Sequence, residues 1–287
     1  MNFKNNFDPY KNNNYSILLN DILDESWIPE AKSELHKTIE YKLNSKNYRS
    51  IEFDGTAEIM SLGCSFTFGL GLQNEMVWPS ILAKKLNKSL VNLAQPGDST
   101  TAQVRKAFSY FKEYGNPKII LAAFPLYRME FPTIPGKLEI DIDNKKHNIE
   151  HFMFYDDYLE PYAKSPYDLS KIIPKEVAVF YTQYHIQMLE QYCESNDIKL
   201  IWSVWEDYEN IYQFLIKNKP EALKNYCNIN WERFFHIGSY KKKILECSEH
   251  EEDHDLFDLA GDRENGDFCH LGWHSHIHIA EDFYAQI

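Results

Sequence analysis

The chain lacks the long hydrophobic segments and the excess of positive charge that several classes of protein require. No apolar stretch among its 287 residues approaches the length needed to span a bilayer, and residues 1–6 contain no apolar run typical of a signal peptide. Asp and Glu number 43 against 30 for Lys and Arg, so the net charge of -13 opposes attraction to nucleic-acid phosphates or anionic membranes. The composition therefore predicts a cytoplasmic protein with no nucleic-acid partner and no membrane partner.

Cysteine is scarce, and its spacing does not fit a disulfide framework or paired CxxC metal ligands. The odd and widely scattered set favours reduced thiols: Cys64, Cys193, Cys227, Cys247 and Cys269. Six of the 11 histidines fall between His250 and His278, beside several acidic residues, so a zinc site is an alternative to weigh. Gly272 disfavours the unbroken helix that would align His270, His274 and His278. We expect no metal and no cofactor.

An apolar run that ends in a serine and a glycine-containing turn is the first candidate for a functional site. Residues 59–62 are typical of a short buried strand, and Gly69 and Gly71 follow Ser65 closely. Such a strand fixes the backbone and presents the hydroxyl at the edge of a sheet. A serine after a strand is also a common helix cap or turn residue, so this run alone leaves both a nucleophilic and a structural role open.

A second candidate region lies near the end of the chain, where Asp267 and His270 precede the turn-prone Gly272. A serine hydroxyl becomes a good nucleophile when an imidazole accepts its proton, and a carboxylate that orients the imidazole supports this transfer. Asp267 and His270 could supply both groups from one loop. Their presence favours the nucleophilic role for Ser65.

Three segments of the chain carry a family resemblance. Residues 63–71 read Gly-Cys-Ser-Phe-Thr-Phe-Gly-Leu-Gly, residues 92–99 place Gly97 after a short strand, and residues 267–270 read Asp-Phe-Cys-His. In this order they resemble the blocks of the SGNH hydrolases, the GDSL-like lipases and esterases, with Cys64 at the usual aspartate position. The resemblance implies a three-layer α/β/α sandwich with a central, mostly parallel sheet of the flavodoxin-like type.

The resemblance implies a role for each residue that matches these blocks. It assigns Ser65 as the nucleophile, His270 as the general base and acid, and Asp267 as the carboxylate that orients His270. It also implies that the backbone N–H groups of Ser65 and Gly97 donate to the developing oxyanion. The family's third block supplies an asparagine, but the segment that ends at Arg128 contains none. Either a backbone donor or another side chain, such as Arg128, fills the role, or the oxyanion site is weakened.

Strands and helices alternate along most of the chain, which independently predicts a parallel sheet with crossover connections. Apolar periodicity predicts helices over 78–86, 100–114 and 175–195, strands over 90–94, 118–124 and 198–205, and a closing helix from Ser275. Sites in such sheets lie beyond the carboxyl ends of the strands. Ser65, Gly97 and Arg128 all follow predicted strand ends, so the predicted architecture and the predicted chemistry agree.

The domain organisation follows from these assignments. Residues 1–55 are expected to form an extension that packs on the core, and residues 56–287 to form a hydrolase-like domain. Two insertions are expected in that domain, at about 126–174 and 206–262. The first is rich in aromatic residues and has the length typical of a lid or binding wall, while packing on a solvent-covered flank is the alternative.

Together these observations predict a serine hydrolase that cleaves a carboxylic ester through an acyl-enzyme, with a small-molecule or carbohydrate acetyl ester as substrate. The same residues could transfer the acyl group to another hydroxyl, as an O-acyltransferase does. The missing third-block asparagine keeps open a different class, a non-catalytic SGNH-fold module that binds a glycan or a protein. The sequence leaves the oligomeric state open, and its richness in Asn, Lys and Ile is typical of an AT-rich viral or bacterial genome.

Overall fold

The computed structural model of the protein describes a large part of the chain, and the structural statements below concern that part alone. The described residues are 42–69, 72–95, 98–126, 128–132, 139–142, 145–148, 151–154, 175–205, 229, 233–234 and 273–287. None of the helices described over these ranges is both long and apolar enough to cross a membrane.

The elements follow one another in the alternating order that the sequence predicts. The strands are β1 (Ile59–Leu62), β2 (Leu90–Asn92), β3 (Ile119–Phe124), β4 (Met129–Pro132), β5 (Glu139–Ile142), β6 (Lys145–Asn148), β7 (His151–Phe154) and β8 (Lys199–Val204). The helices are α1 (Ser65–Phe68), α2 (Trp78–Leu86), α3 (Thr100–Tyr114), α4 (Lys175–Ser195) and α5 (Trp273–Tyr284). The helices and strands predicted from periodicity are confirmed, with ends that agree to within about two residues.

Four strands form a parallel sheet in the order β2-β1-β3-β8. In register, Ile59 of β1 lies opposite Leu90 of β2 on one side and Ile119 of β3 on the other. Every residue of β1 and β3 is buried, which explains their continuous apolar sequences, because both faces of a parallel sheet are covered. The strands between β3 and α4 stay outside this sheet and form two antiparallel pairs, β4 with β7 and β5 with β6.

Alternate residues of the sheet contact two different helical layers. Met60 and Ile120 belong to a hydrophobic cluster that includes the buried faces of α3 and α4. Their neighbours Ile59 and Leu121 belong to a second cluster with the buried faces of α2 and α5. Since successive strand residues point to opposite faces, α3 and α4 cover one face and α2 and α5 cover the other. The predicted three-layer α/β/α sandwich with a parallel central sheet is confirmed.

The strand order places a topological switch point between β1 and β3. After β1 the next crossover helix, α2, lies on one face of the sheet, whereas α4, which follows β3, lies on the opposite face. Adjacent strands whose connections diverge in this way leave a crevice beyond their carboxyl ends, and ligands of open α/β sheets bind there. Ser65 follows the last residue of β1, Leu62, and therefore lies at this edge of the sheet.

Burial protects the thiol of Cys193 on α4. Burial away from water raises its pKa from the usual 9.0 to about 12. Because the thiolate is the reactive form, we expect iodoacetamide at about pH 8 to leave Cys193 unmodified in the folded protein and to modify it in denaturant. Peptide mapping by mass spectrometry checks this, and equal modification in both states would contradict the burial.

The raised pKa of Cys193 also makes the stability of the fold depend on pH. As the pH rises, the thiol ionises in the unfolded chain before it ionises in the folded protein. The contribution of Cys193 to the free energy of unfolding is therefore lost as pH rises from 9.0 toward about 12.

Candidate active site

Ser65 begins the one-turn helix α1, which Gly63 and Cys64 separate from the end of β1, and it is 5% exposed. The backbone N–H groups of Thr67 and Phe68 both donate to the carbonyl oxygen of Cys64, at 3.1 and 2.9 Å, and close the turn. The N–H of Ser65 is the first of the helix, so it has no acceptor within the helix. A buried, hydrogen-bonded turn therefore presents Ser65 at the carboxyl edge of the sheet.

Two glycines allow this turn to pack as closely as it does. Gly69 ends the helix in the left-handed conformation, with φ of 77°, and its N–H donates to the Ser65 carbonyl at 2.9 Å. A Cβ at Gly69 would lie 2.1 Å from Cγ2 of Val77, and a Cβ at Gly63 would lie 1.9 Å from Oγ1 of Thr67. Glycine at both positions lets β1, α1 and the following segment approach one another without overlap.

Asn92, the last residue of β2, joins three segments through its buried side-chain amide. Its Oδ1 accepts hydrogen bonds from Oγ of Ser61 at 2.9 Å and from the backbone N–H of Ala94 at 3.0 Å. Its Nδ2 donates to the carbonyl oxygen of Thr67 at 3.1 Å. Asn92 thus connects β1, the segment after β2 and helix α1. The sequence placed Asn92 at the start of the second block without a role, and the signal for one is a polar residue that ends an apolar strand.

A buried ion pair lies at the start of α3. Lys106 Nζ donates to both carboxylate oxygens of Asp98, at 2.7 and 2.6 Å, and both side chains are almost completely buried. Removal of either partner would leave an uncompensated charge out of water, which is costly. The pair ties Asp98, which precedes the N-cap residue Ser99, to the second turn of the helix. Gly97, the predicted oxyanion donor, immediately precedes Asp98 in the chain.

Hydroxyl groups from α3 and α4 hold the segment that follows β3. Oγ1 of Thr100 donates to the carbonyl oxygen of Pro125 at 2.8 Å, and Oγ1 of Thr182 donates to that of Leu126 at 3.0 Å. Both bonds are buried, so they compete with little water. They fix residues 125 and 126, which precede the half-buried Arg128 in the chain.

The structure describes two of the five predicted site residues. Ser65 and Arg128 follow the carboxyl ends of β1 and β3, which are neighbours in the sheet, so both lie at the same edge. Gly97, Asp267 and His270 lie outside the described residues, and their roles stay predictions.

The closing helix α5 docks on α2, the helix that follows the Ser65 turn. Nδ1 of His276 accepts a hydrogen bond from the backbone N–H of Trp78 at 3.0 Å, and the Trp78 ring stacks on Phe283 with the ring centroids 4.4 Å apart. These contacts hold α5 on the same face of the sheet as α2.

The histidine-rich region also contains the HExxH spacing, because His250 and His254 flank Glu251. In zinc proteases this spacing on a helix supplies two imidazole ligands and a general base. These three residues lie outside the described ranges. Within the ranges that are described, no group of three or more His, Cys, Asp or Glu side chains is placed to hold a metal ion. The expectation of no metal stays a prediction.

Comparison with known proteins gives matches to solved structures alone. No protein-family model and no curated protein matches the chain. The matching structures include the psychrotrophic esterase EstA from a Pseudoalteromonas species, with 13% identity and a TM-score of 0.41, covering 79% of this chain and 94% of that one. A protein from Desulfitobacterium hafniense, described as lipolytic and of the G-D-S-L family, matches with 14% identity and a TM-score of 0.41, covering 79% of this chain and 97% of that one.

A third match is a family two carbohydrate esterase from Clostridium thermocellum in complex with cellohexaose. Its identity is 13% and its TM-score 0.42, and the match covers 80% of this chain and 62% of that one. The chain is thus similar to two esterases and to a lipolytic protein described as a member of the G-D-S-L family. With identities and TM-scores this low, the fold assignment rests on the sheet and its helical layers.

Replacement of Asn92 tests its role as the connection between β1, β2 and α1. We expect Asn92→Ala to lower the free energy of unfolding by about 2–4 kcal/mol, because it leaves the buried groups of Ser61, Ala94 and Thr67 without this partner. Urea denaturation followed by circular dichroism measures the loss. The matched control is Asn116→Ala, since Asn116 makes side-chain hydrogen bonds at an exposed site. That change should cost no more than about 0.5 kcal/mol, and equal losses for the two variants would refute the role of Asn92.

Proposed function

We propose that the protein is a serine hydrolase that cleaves carboxylic esters, with Ser65 as the nucleophile. The observation that carries this proposal is the position of Ser65 on a tight, buried turn at the carboxyl end of β1, beside the switch point of the sheet. A sharp turn after a strand holds a serine hydroxyl at the top of an α/β sheet, where a substrate can reach it. The resemblance of the chain to the SGNH blocks points to the same residue.

The proposed reaction runs through a covalent acyl-enzyme. Oγ of Ser65 attacks the ester carbonyl carbon while His270 accepts the hydroxyl proton, and Asp267 keeps the imidazole in the correct tautomer and stabilises its positive form. The tetrahedral intermediate collapses when His270 returns this proton to the leaving alcohol. A water molecule then gives a proton to His270 and attacks the acyl carbon. This second intermediate releases the acid as His270 returns the proton to Oγ of Ser65, which restores the hydroxyl.

The oxyanion of the tetrahedral intermediate needs donors that are already in place. We assign the backbone N–H groups of Ser65 and Gly97 to this task and Arg128 to the position that the family fills with asparagine. The N–H of Ser65 has no acceptor within α1, which supports its assignment. One well-aimed donor of this kind contributes about 3–4 kcal/mol to the stabilisation of the transition state. A guanidinium would add charge to that stabilisation.

We infer that the substrate is a small acyl ester, acetyl in particular, on a small molecule or a carbohydrate. This inference rests on the family resemblance of residues 63–71, 92–99 and 267–270. Transfer of the acyl group to a second hydroxyl would use the same acyl-enzyme, so an O-acyltransferase differs only in its acceptor. Product analysis in the presence of sugar alcohols separates the two reactions.

A fluorophosphonate probe tests the nucleophile without knowledge of the substrate. Phosphonylation requires an activated hydroxyl, so we expect one adduct on Ser65 in the wild-type protein and none on Ser65→Ala. His270→Ala should also lose the adduct, because the base is removed. Intact mass and peptide mapping identify the modified residue. A wild-type protein that stays unmodified, and that also leaves short-chain esters intact, would favour the non-catalytic binding module.

The matched control is His278→Ala on the exposed side of α5, which should react at the wild-type rate. A metal chelator should likewise leave the rate unchanged. A loss of reaction that zinc restores would direct attention to His250 and His254 and would contradict the expectation of no metal.

A further inference from the structure

A buried arginine from the segment before β1 contacts the turn that carries Ser65. Arg49 is 2% exposed. Its Nη1 donates to the carbonyl oxygens of Phe68 and Gly69, at 3.0 and 2.6 Å, and its Nη2 donates to the carbonyl oxygen of Leu72 at 2.5 Å. One guanidinium therefore binds three backbone carbonyls: two at the end of α1 and that of Leu72 in the segment that follows.

These carbonyls are suitable partners for a buried cation. The last carbonyl groups of a helix accept no hydrogen bond from within the helix, and they form the negative end of its dipole. The planar guanidinium offers several N–H donors in a fixed fork, which suits carbonyls that converge from different directions. The guanidinium carbon also lies 5.5 Å from the centroid of the Phe68 ring. Since an unpaired buried charge is costly, these contacts must be kept for Arg49 to stay buried.

The segment that carries Arg49 is itself a fixed turn, which we call the Asn44–Ser50 turn. Oδ1 of Asn44 accepts hydrogen bonds from the backbone N–H groups of Lys46 and Tyr48, both at 3.0 Å. The Tyr48 side chain is buried in the hydrophobic cluster beneath α3 and α4. Arg49 therefore projects from an anchored backbone.

The same turn also holds the segment after β2. Oγ of Ser50 accepts a hydrogen bond from the backbone N–H of Asn92 at 3.0 Å. The carbonyl oxygen of Asn47 accepts one from Nε2 of Gln95 at 3.0 Å. Gln95 is two residues before Gly97 in the chain. The Asn44–Ser50 turn thus contacts both segments that carry the proposed oxyanion donors.

We propose that the Asn44–Ser50 turn is a positioning element of the hydrolase site, with Arg49 as the residue that fixes the Ser65 turn. Arg49 touches neither substrate nor reacting atoms, and it acts by holding the end of the helix whose first residue is Ser65. The effect of Arg49 on reactivity rests on the proposed function. Its effect on the order of residues 65–69 does not.

Arg49→Lys tests the proposal while it keeps the positive charge. A lysine ammonium has a single nitrogen and cannot reproduce the two-nitrogen fork, so the end of α1 loses part of its support. We expect the fluorophosphonate reaction rate at Ser65 to fall by about tenfold to a hundredfold, since a misplacement near 1 Å has costs of this size. Amide hydrogen exchange of residues 65–69 should accelerate, while that of β3 stays as in the wild type.

Two comparisons separate positioning from a general loss of stability. Arg105→Lys makes the same change at an exposed position of α3 and should leave the reaction rate and the exchange of residues 65–69 unchanged. Arg49→Ala leaves a space of guanidinium size, so added guanidinium, at concentrations too low to denature, should restore the reaction where ammonium does not. If Arg49→Ala does not fold, the comparison of Arg49→Lys with Arg105→Lys still tests the positioning role.

The positioning role of Arg49 and the nucleophilic role of Ser65 can fail separately, and the two failures give different results. A stable Arg49→Lys protein that reacts at the wild-type rate and shows unchanged exchange at residues 65–69 overturns the positioning role. A lower melting temperature with an unchanged rate per folded molecule also overturns it, because Arg49 would then be merely structural. If the wild-type protein does not react with the probe, the proposed function fails, and the exchange measurement alone decides whether Arg49 orders the turn.

Discussion

The candidate site depends on hydrogen bonds that reach helix α1 from outside it. A helix of one turn fixes several backbone torsions for very few internal hydrogen bonds, so it does not persist without external partners. Asn92 binds the Thr67 carbonyl, Arg49 binds the carbonyls after it, and the left-handed Gly69 closes the end. Ser65 owes its place at the edge of the sheet to these contacts. The apolar layers position the sheet, and buried polar groups position the serine.

Much of the sheet and its helices could be predicted from the sequence because their signals are local. Helix α3 has the predicted bounds, since Ser99 caps its start by accepting a hydrogen bond from Ala102 N–H and Gly115 follows its end. Strand β2 is shorter than predicted because the N–H of Ala94 donates to the Asn92 side chain. The apolar run before Ser65 likewise placed the serine at a strand end. Periodicity and helix caps depend on residues that are close in the chain, so a single sequence is enough to recognise them.

The contacts that shape the site leave no such local signal. Arg49 and the carbonyls of α1 are about twenty residues apart, and Asn92 reaches Thr67 from another strand. Polar side chains that meet across a fold show no period, so single-sequence reasoning cannot pair them. The ion pair of Asp98 and Lys106 spans two turns at a helix start, and it too could have been read as a solvated surface pair. A buried ion pair and a solvated surface pair differ in burial, and the sequence alone does not reveal the burial of a charged residue.

The Arg49 guanidinium has a consequence for how far the functional unit extends along the chain. Every sequence block that suggests a hydrolase lies after Glu58, so a fragment that begins there would keep the serine, the histidine and the acid. It would also leave the carbonyls at the end of α1 without their cation. The sequence blocks that indicate a hydrolase therefore cover less of the chain than the structural unit that fixes the Ser65 turn. That unit also includes the Asn44–Ser50 turn, which precedes β1.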